Sequence, residues 1–164
     1  MPDRDRLGPV QRLHKQLGMI AIRLADLRRP RVSLGVRLIA FDGARRVFLV
    51  RHSYLPGWHL PGGAVDPDET LREAAIREAG EEGGLVFDRR PELFHVYRGA
   101  TGGRRDHIAL FVAEGARQER PRRPGAEIIA SGFYPADALP RGVTGATRER
   151  IAEVLEGSEP GDVW

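Results

Sequence analysis

Gly63–Leu85, GAVDPDETLREAAIREAGEEGGL, is the stretch on which the reading of this chain turns. After Gly63 come Glu69, the pair Arg77-Glu78, the pair Glu81-Glu82 and Gly84, with Ala79 and Leu85 at apolar slots between and after them. Thr70-Leu71-Arg72-Glu73 has the form of a capping box, in which the threonine hydroxyl serves an orphan amide and the glutamate reaches back to the cap. A helix is therefore predicted to start there. Leu71, Ala74, Ala75 and Ala79 supply apolar contacts at three- and four-residue spacing, with Ile76 beside them, and Gly83-Gly84 stops the helix near Glu82.

On such a helix Glu81 lies about 60° to one side of Glu78 and Glu82 about 40° to the other, so three carboxylates share a face. Like charges at that spacing repel and weaken an isolated helix. A divalent cation removes the conflict, and a cluster of hard oxygen donors without His or Cys suits Mg²⁺ or Mn²⁺ rather than zinc. The alternative is a solvated helix face in which Arg72 and Arg77 partner the acids, Arg77 with Glu73 or Glu81 at four-residue spacing. Gly80 departs from good helix design by about 1 kcal/mol against Ala. Either another backbone packs closely there or the loss is simply tolerated.

The identities and their spacing resemble the Nudix box without a gap, and Trp58-His59-Leu60-Pro61-Gly62-Gly63 resembles the strand and turn that lead into that box in many members. The resemblance implies a metal-dependent hydrolase that cuts a diphosphate linked to another moiety. It implies an α/β fold, a Nudix-type α/β/α sandwich around a mixed β-sheet. The implied cofactor is Mg²⁺, with Mn²⁺ as substitute, held by Glu78, Glu82 and Glu81, with the carbonyl of Gly63 or of neighbouring Gly62 as a further ligand. Arg77 then orients the metal carboxylates, and Glu81 or Glu82 takes part in catalysis, Glu81 as ligand or as base. Glu69, just ahead of the helix, could equally serve only the helix N-terminus.

Substrate contacts fall outside the box. Glu127, before the run IIASGFY, is placed for a further acid, though a strand-edge charge would explain it too. Arg51 could pair with phosphate and Trp58 could stack a ring, although Trp58 has an equally good packing explanation. Tyr54, Tyr97, Phe133, His52, Arg98, Arg104 and Arg105 are further candidates of the same kinds. Family subgroups carry marks downstream of the box, and this chain has none: position 101 is Thr where an ADP-ribose enzyme would have proline, and Tyr97 comes early for a dinucleoside-polyphosphate tyrosine. The expected partner is a small nucleotide-type diphosphate, with a nucleotide-sensing module that does not cleave, and an RNA 5′-end pyrophosphohydrolase, as the alternatives.

The rest of the chain fits one domain of ordinary size with a short extension: residues 1–30 as a helical extension, 31–158 as the catalytic domain and 159–164 as a tail. Zero cysteine excludes disulfides and thiol catalysis, and it sets aside isopentenyl diphosphate isomerase, a Nudix-fold relative with a cysteine mechanism. Without a long apolar run or a leader-like start, a soluble cytoplasmic protein with no membrane partner is expected. Net charge is +3 with a pI near 9.9, but Lys15 is the only lysine, and no basic stripe interleaved with aromatics argues for nucleic acid. Arg117–Arg123, RQERPRR, reads as a solvated basic loop, with a mobile loop that meets an anionic substrate as the alternative.

Val10, Leu13, Leu17, Ile20, Leu24 and Leu27 mark an amphipathic helix ending before Pro30, which could pack on its own domain, form a homodimer contact or touch anionic lipid. Apolar β-rich runs follow at Val32–Phe41, Val47–His52, Leu93–Tyr97, His107–Ala113 and Ile128–Tyr134. A closing helix is predicted over Val143–Leu155, capped by Thr144 or Thr147.

Overall fold

The computed structural model describes residues 32–99, 105–121, 125 and 127–164. The predicted N-terminal helix, with its packing, dimer and lipid readings, lies outside the described residues, as does Arg104. Within them the elements run β1 (Val32–Ala40), β2 (Val47–His52), α1 (Leu71–Gly83), β3 (Leu85–Val86), β4 (Glu92–Arg98), β5 (Arg105–Ala113), β6 (Arg117–Gln118), β7 (Ile128–Tyr134) and α2 (Gly145–Glu156).

β5 is central to the largest sheet. It runs parallel to β1, from Val32↔Arg105 to Ala40↔Ala113, and antiparallel to β4 on its other side. β2 pairs antiparallel with β7, from Val47↔Tyr134 to His52↔Ile128, with an irregularity between Arg51 and His52. Between β1 and β2 lies the WHLPGG segment: Val36 N–H donates to Gly63 O at 2.9 Å, Leu38 N–H to Pro61 O at 3.0 Å, and His59 and Val50 exchange both backbone bonds at 2.9 Å. The turn that leads into α1 is thereby fixed to two strands.

Period-2 alternation along β1 and β2 sends side chains to two cores. Val36, Leu38, Ala40, Phe48 and Val50 pack with Ala74, Ala75 and Ala79 of α1. Ile39, Phe41, Val47 and Leu49 pack on the other side with Trp58, Leu60, Tyr97 and Ile151 of α2. A helix on each side of mixed strands is the α/β/α arrangement expected. No helix among the described residues is long and apolar enough to cross a membrane.

The capping box of α1 is complete: Glu73 N–H donates to Thr70 Oγ1 at 3.3 Å, and Thr70 N–H to Glu73 Oε2 at 2.8 Å. Gly84 closes the helix in the left-handed region at φ 62°, donating to Gly80 O at 2.9 Å. For α2 the cap is Thr144, which accepts from Thr147 N–H at 3.3 Å.

Two elements differ from the sequence reading. β3 and β6 are two-residue strands paired Leu85↔Gln118 and Val86↔Arg117, so the predicted basic loop opens as a strand, with Arg117 Nη1 donating to Asp88 Oδ1 at 2.6 Å. Two residues show no period, and this pairing depends on a partner more than thirty positions away. Residues 162–164 run beside β4, with Arg98 N–H donating to Asp162 O at 2.8 Å and Trp164 N–H to Arg98 O at 2.9 Å.

Gly80 has no heavy atom within 4 Å of the place its Cβ would occupy, so close backbone packing is not its reason. Gly80→Ala is expected to stabilise the fold by about 1 kcal/mol, read as a higher urea midpoint at unchanged slope.

Candidate active site

Glu82 occupies the position of α1 that turns inward. It is 5% exposed, its Oε2 accepts the Gly62 N–H at 2.9 Å, and its Oε1 lies 3.5 Å from His52 Nε2. Burial pushes the Glu82 carboxyl up to about 7, against the downward pull of the Gly62 N–H and the Arg37 charge. Burial likewise holds the His52 imidazole below its ordinary value. One turn earlier, the Glu78 carboxyl lies against Gly63, where a Cβ would stand 2.7 Å from Glu78 Cδ. Gly63 leaves the space into which that carboxylate fits.

Arg77 organises the outer side. Its Nε and Nη2 hold both oxygens of Glu69, at 3.1 and 2.7 Å, Nη1 donates to Glu78 Oε1 at 2.9 Å and Glu81 Oε2 at 3.2 Å, and Nη2 also reaches Ala64 O at 3.1 Å. Of its two expected partners only Glu81 is engaged, because Glu73 is spent on the capping box. Glu69, whose role the sequence left open, has one here: it also accepts the Asp66 N–H at 2.9 Å, and its hydrogen bonds from Arg77 hold its carboxyl below the usual range. Lysine could not span these acceptors. Arg77→Lys is expected to lower turnover by about 10–100-fold with little change in unfolding midpoint, the size of effect seen when a group that orients metal ligands is lost.

The structure brings Glu78, Glu82, Gly62 and Gly63 together, with Glu81 at the rim, its side chain 58% exposed. Among the described residues no three His, Cys, Asp or Glu side chains converge as a ready-made metal site. The donors nevertheless fit a hard divalent cation. Two carboxylates flank a backbone turn, one of them buried where its negative charge is costly, and a carbonyl oxygen that accepts one hydrogen bond keeps a second lone pair.

Glu127 lies on the same side: its Oε1 accepts from Tyr54 Oη at 3.4 Å, its backbone carbonyl accepts the Ser53 N–H at 2.8 Å, and its charge contributes to the upward pressure on Glu82. Tyr54 is 62% exposed, its ring centroid 5.2 Å from that of His52, which in turn is 5.9 Å from His59. Arg51 is exposed on β2. Trp58 sits elsewhere, in the α2-side core at 9% exposure with its ring 5.1 Å from Tyr134, so packing accounts for it. Tyr97 is fully buried in that same core and donates to Glu153 Oε2 at 2.7 Å, and Phe133 packs edge-on against Phe48.

Sequence reasoning does not single out Arg37. Its partly buried side chain donates through Nη1 to the Gly62 carbonyl, and it lies close enough to Glu82, Glu78 and Tyr54 to interact electrostatically with all three. A charge in the middle of the apolar run VSLGVRLIAF was the available signal.

The fold and this constellation define a class, and comparison with known proteins agrees. The NUDIX domain family profile matches residues 31–155. The chain belongs to the Nudix family. A MutT-like protein of Streptomyces ambofaciens is 27% identical over 129 residues, covering 79% of each chain. An RNA pyrophosphohydrolase of Dinoroseobacter shibae is 39% identical over 56 residues, 33% of this chain and 35% of that one, so the match spans about a third of that relative's length. Among solved structures, a MutT NUDIX hydrolase from Burkholderia pseudomallei superposes with TM-score 0.63 at 28% identity, covering 76% of this chain and 98% of that one.

Proposed function

We propose that the protein is a divalent-metal-dependent hydrolase that cleaves the diphosphate bond of a nucleoside diphosphate linked to another moiety. The observation that carries this reading is the placement of the Glu78 and Glu82 carboxylates on either side of the Gly62–Gly63 turn, with Arg77 clamped to Glu69, Glu78 and Glu81. When bound, Mg²⁺ or Mn²⁺ supplies charge neutralisation and a more acidic water.

The chain's own groups do the positioning. Glu78, Glu82 and a carbonyl of the Gly62–Gly63 turn would hold the ion, and Arg77 would fix the approach of Glu78 and Glu81. Glu81, exposed at the rim with Oε2 on Arg77, keeps its other oxygen for a role as ligand or base. Burial raises the Glu82 carboxyl to about 7, so this residue exchanges a proton near neutral pH. Tyr54 and Glu127, near His52, and Arg51, exposed on β2, are the contacts proposed for the rest of the substrate.

A binding module without turnover would usually have lost box acids, and this chain keeps them all. Phosphate release is the test, coupled to a phosphatase or pyrophosphatase where needed. Nucleoside triphosphates, ADP-ribose, nucleotide sugars, dinucleoside polyphosphates and 5′-triphosphorylated RNA are compared with Mg²⁺, Mn²⁺ or EDTA. Cleavage of one class, abolished by EDTA, is expected. Binding without cleavage across the panel would move the reading to a nucleotide sensor.

A further inference from the structure

Arg37 is a cation in an unusual position. Its guanidinium carries five N–H donors, yet among the described residues it makes one hydrogen bond, through Nη1 to the Gly62 carbonyl, and no ion pair within 4 Å. Its side chain is partly buried, and the Glu82 and Glu78 charges are its electrostatic neighbours. A guanidinium is costly to bury unless its fork is filled. The same Gly62 peptide gives its N–H to Glu82 at 2.9 Å, so Arg37 and Glu82 grip one peptide unit from opposite ends. That grip sets the guanidinium against the peptide that Glu82 also holds, within electrostatic reach of the carboxylates that the proposed function assigns to the metal.

Charge arithmetic then indicates what the fork is for. Arg77 is committed to Glu69, Glu78 and Glu81, which leaves Arg37 as the further cation whose charge is felt by Glu82 and Glu78. A divalent ion on Glu78 and Glu82 would cancel the charge that keeps Arg37 tolerable in a half-buried site. A multiply charged anion must replace it, and a diphosphate bridging between ion and guanidinium does so. We infer that Arg37 is a substrate-binding residue whose free guanidinium donors take non-bridging oxygens of the diphosphate, while Nη1 keeps the Gly62 carbonyl in register. The bland alternative is that Arg37 is only a clamp on the Gly62 turn. This inference rests on the proposed hydrolase reading.

The test measures binding apart from turnover. Titration calorimetry with methylenediphosphonate, which cannot be hydrolysed, is run in Mg²⁺ on the wild type, Arg37→Met and Arg37→Lys, beside Mn²⁺ affinity by electron paramagnetic resonance and thermal unfolding. For Arg37→Met, diphosphonate affinity should fall by about 10–100-fold, the worth of a charge-assisted pair, with Mn²⁺ affinity kept within a few-fold. Arg37→Lys should recover part of the loss. KM for the best substrate should rise with it. Unchanged diphosphonate affinity in Arg37→Met would overturn the inference, and so would parallel loss of Mn²⁺ and diphosphonate affinity, which marks a clamp alone. If Arg37→Met does not fold, Arg37→Lys decides, since it keeps the charge and loses the fork: unchanged affinity overturns, and a drop with Mn²⁺ affinity retained supports. Failure of the hydrolase reading looks different, because wild-type protein would then turn over no substrate in the panel, whereas the affinity comparison between wild type and Arg37→Met is read without turnover.

Discussion

Glu82→Gln is expected to cut turnover by roughly 1,000-fold while leaving the fold intact. Glutamine matches the carboxyl in shape and still accepts the Gly62 N–H, so the 2.9 Å bond that ties α1 to the turn survives. What disappears is the negative charge that would hold the ion. Phosphate release and circular dichroism on the same preparation check both halves. Retained Mg²⁺-dependent turnover would mean that the site has been misassigned.

The same substitution has an opposite effect on the stability of the metal-free protein. In the fold Glu82 is raised to about 7 from an ordinary 4.5. Below pH 4.5 both folded and unfolded chains carry the proton, and Glu82 costs nothing. Between 4.5 and 7 the unfolded chain releases its proton while the fold retains it, so stability declines as pH rises, and above 7 the decline is complete at about 3 kcal/mol. Glutamine has no such titration. In EDTA the melting temperature of Glu82→Gln should therefore exceed that of the wild type at pH 8 and match it near pH 4.5. Saturating Mg²⁺ at pH 8 should close the gap by stabilising the wild type, because an ion that binds only the folded state adds stability. Parallel pH profiles for the two proteins would show that the buried carboxyl bears no desolvation cost.

Gly62→Ala should be strongly destabilising for so small a substitution. Gly62 has φ +143°, a conformation that L side chains rarely adopt, and its added Cβ would collide with the Val36 carbonyl and stand 2.9 Å from Arg37 Cα. Both obstacles are backbone of β1, which is held along its length by β5 and so cannot yield cheaply. Strain and overpacking together should cost roughly 3 kcal/mol or more, measured by urea unfolding. Gly80→Ala is the internal control, one methyl at another glycine of the same region with the opposite sign expected. If both substitutions move the midpoint alike, the close approach of the turn to β1 is not what fixes Gly62.

Much of this architecture was legible because its causes are local. Thr70 and Glu73 satisfy one another across three residues, so the start of α1 could be read from four letters. β2 and β7 fall at their predicted bounds because an apolar, β-rich run of six or seven residues is a long enough signal. β3 and β6, at two residues each, lack that length and are strands only because Leu85 and Gln118 meet in space. Within the box, spacing grouped Glu78, Glu81 and Glu82 on one face. It could not show that they differ so much in burial, with Glu82 inside, Glu78 against Gly63 and Glu81 at the rim.

The sequence by itself determined the family, the helix that carries the acids and the strands around it, since each depends on residues near one another in the chain and on fixed helical and strand periods. Only the tertiary structure decided which surroundings each group meets. It placed Trp58 and Tyr97 in the core, Glu69 in the grip of Arg77, and Arg37 within electrostatic reach of the acids of a helix more than thirty residues further on. Burial and charge proximity arise when β1, the Gly62–Gly63 turn and α1 pack together, and no local pattern encodes that distance.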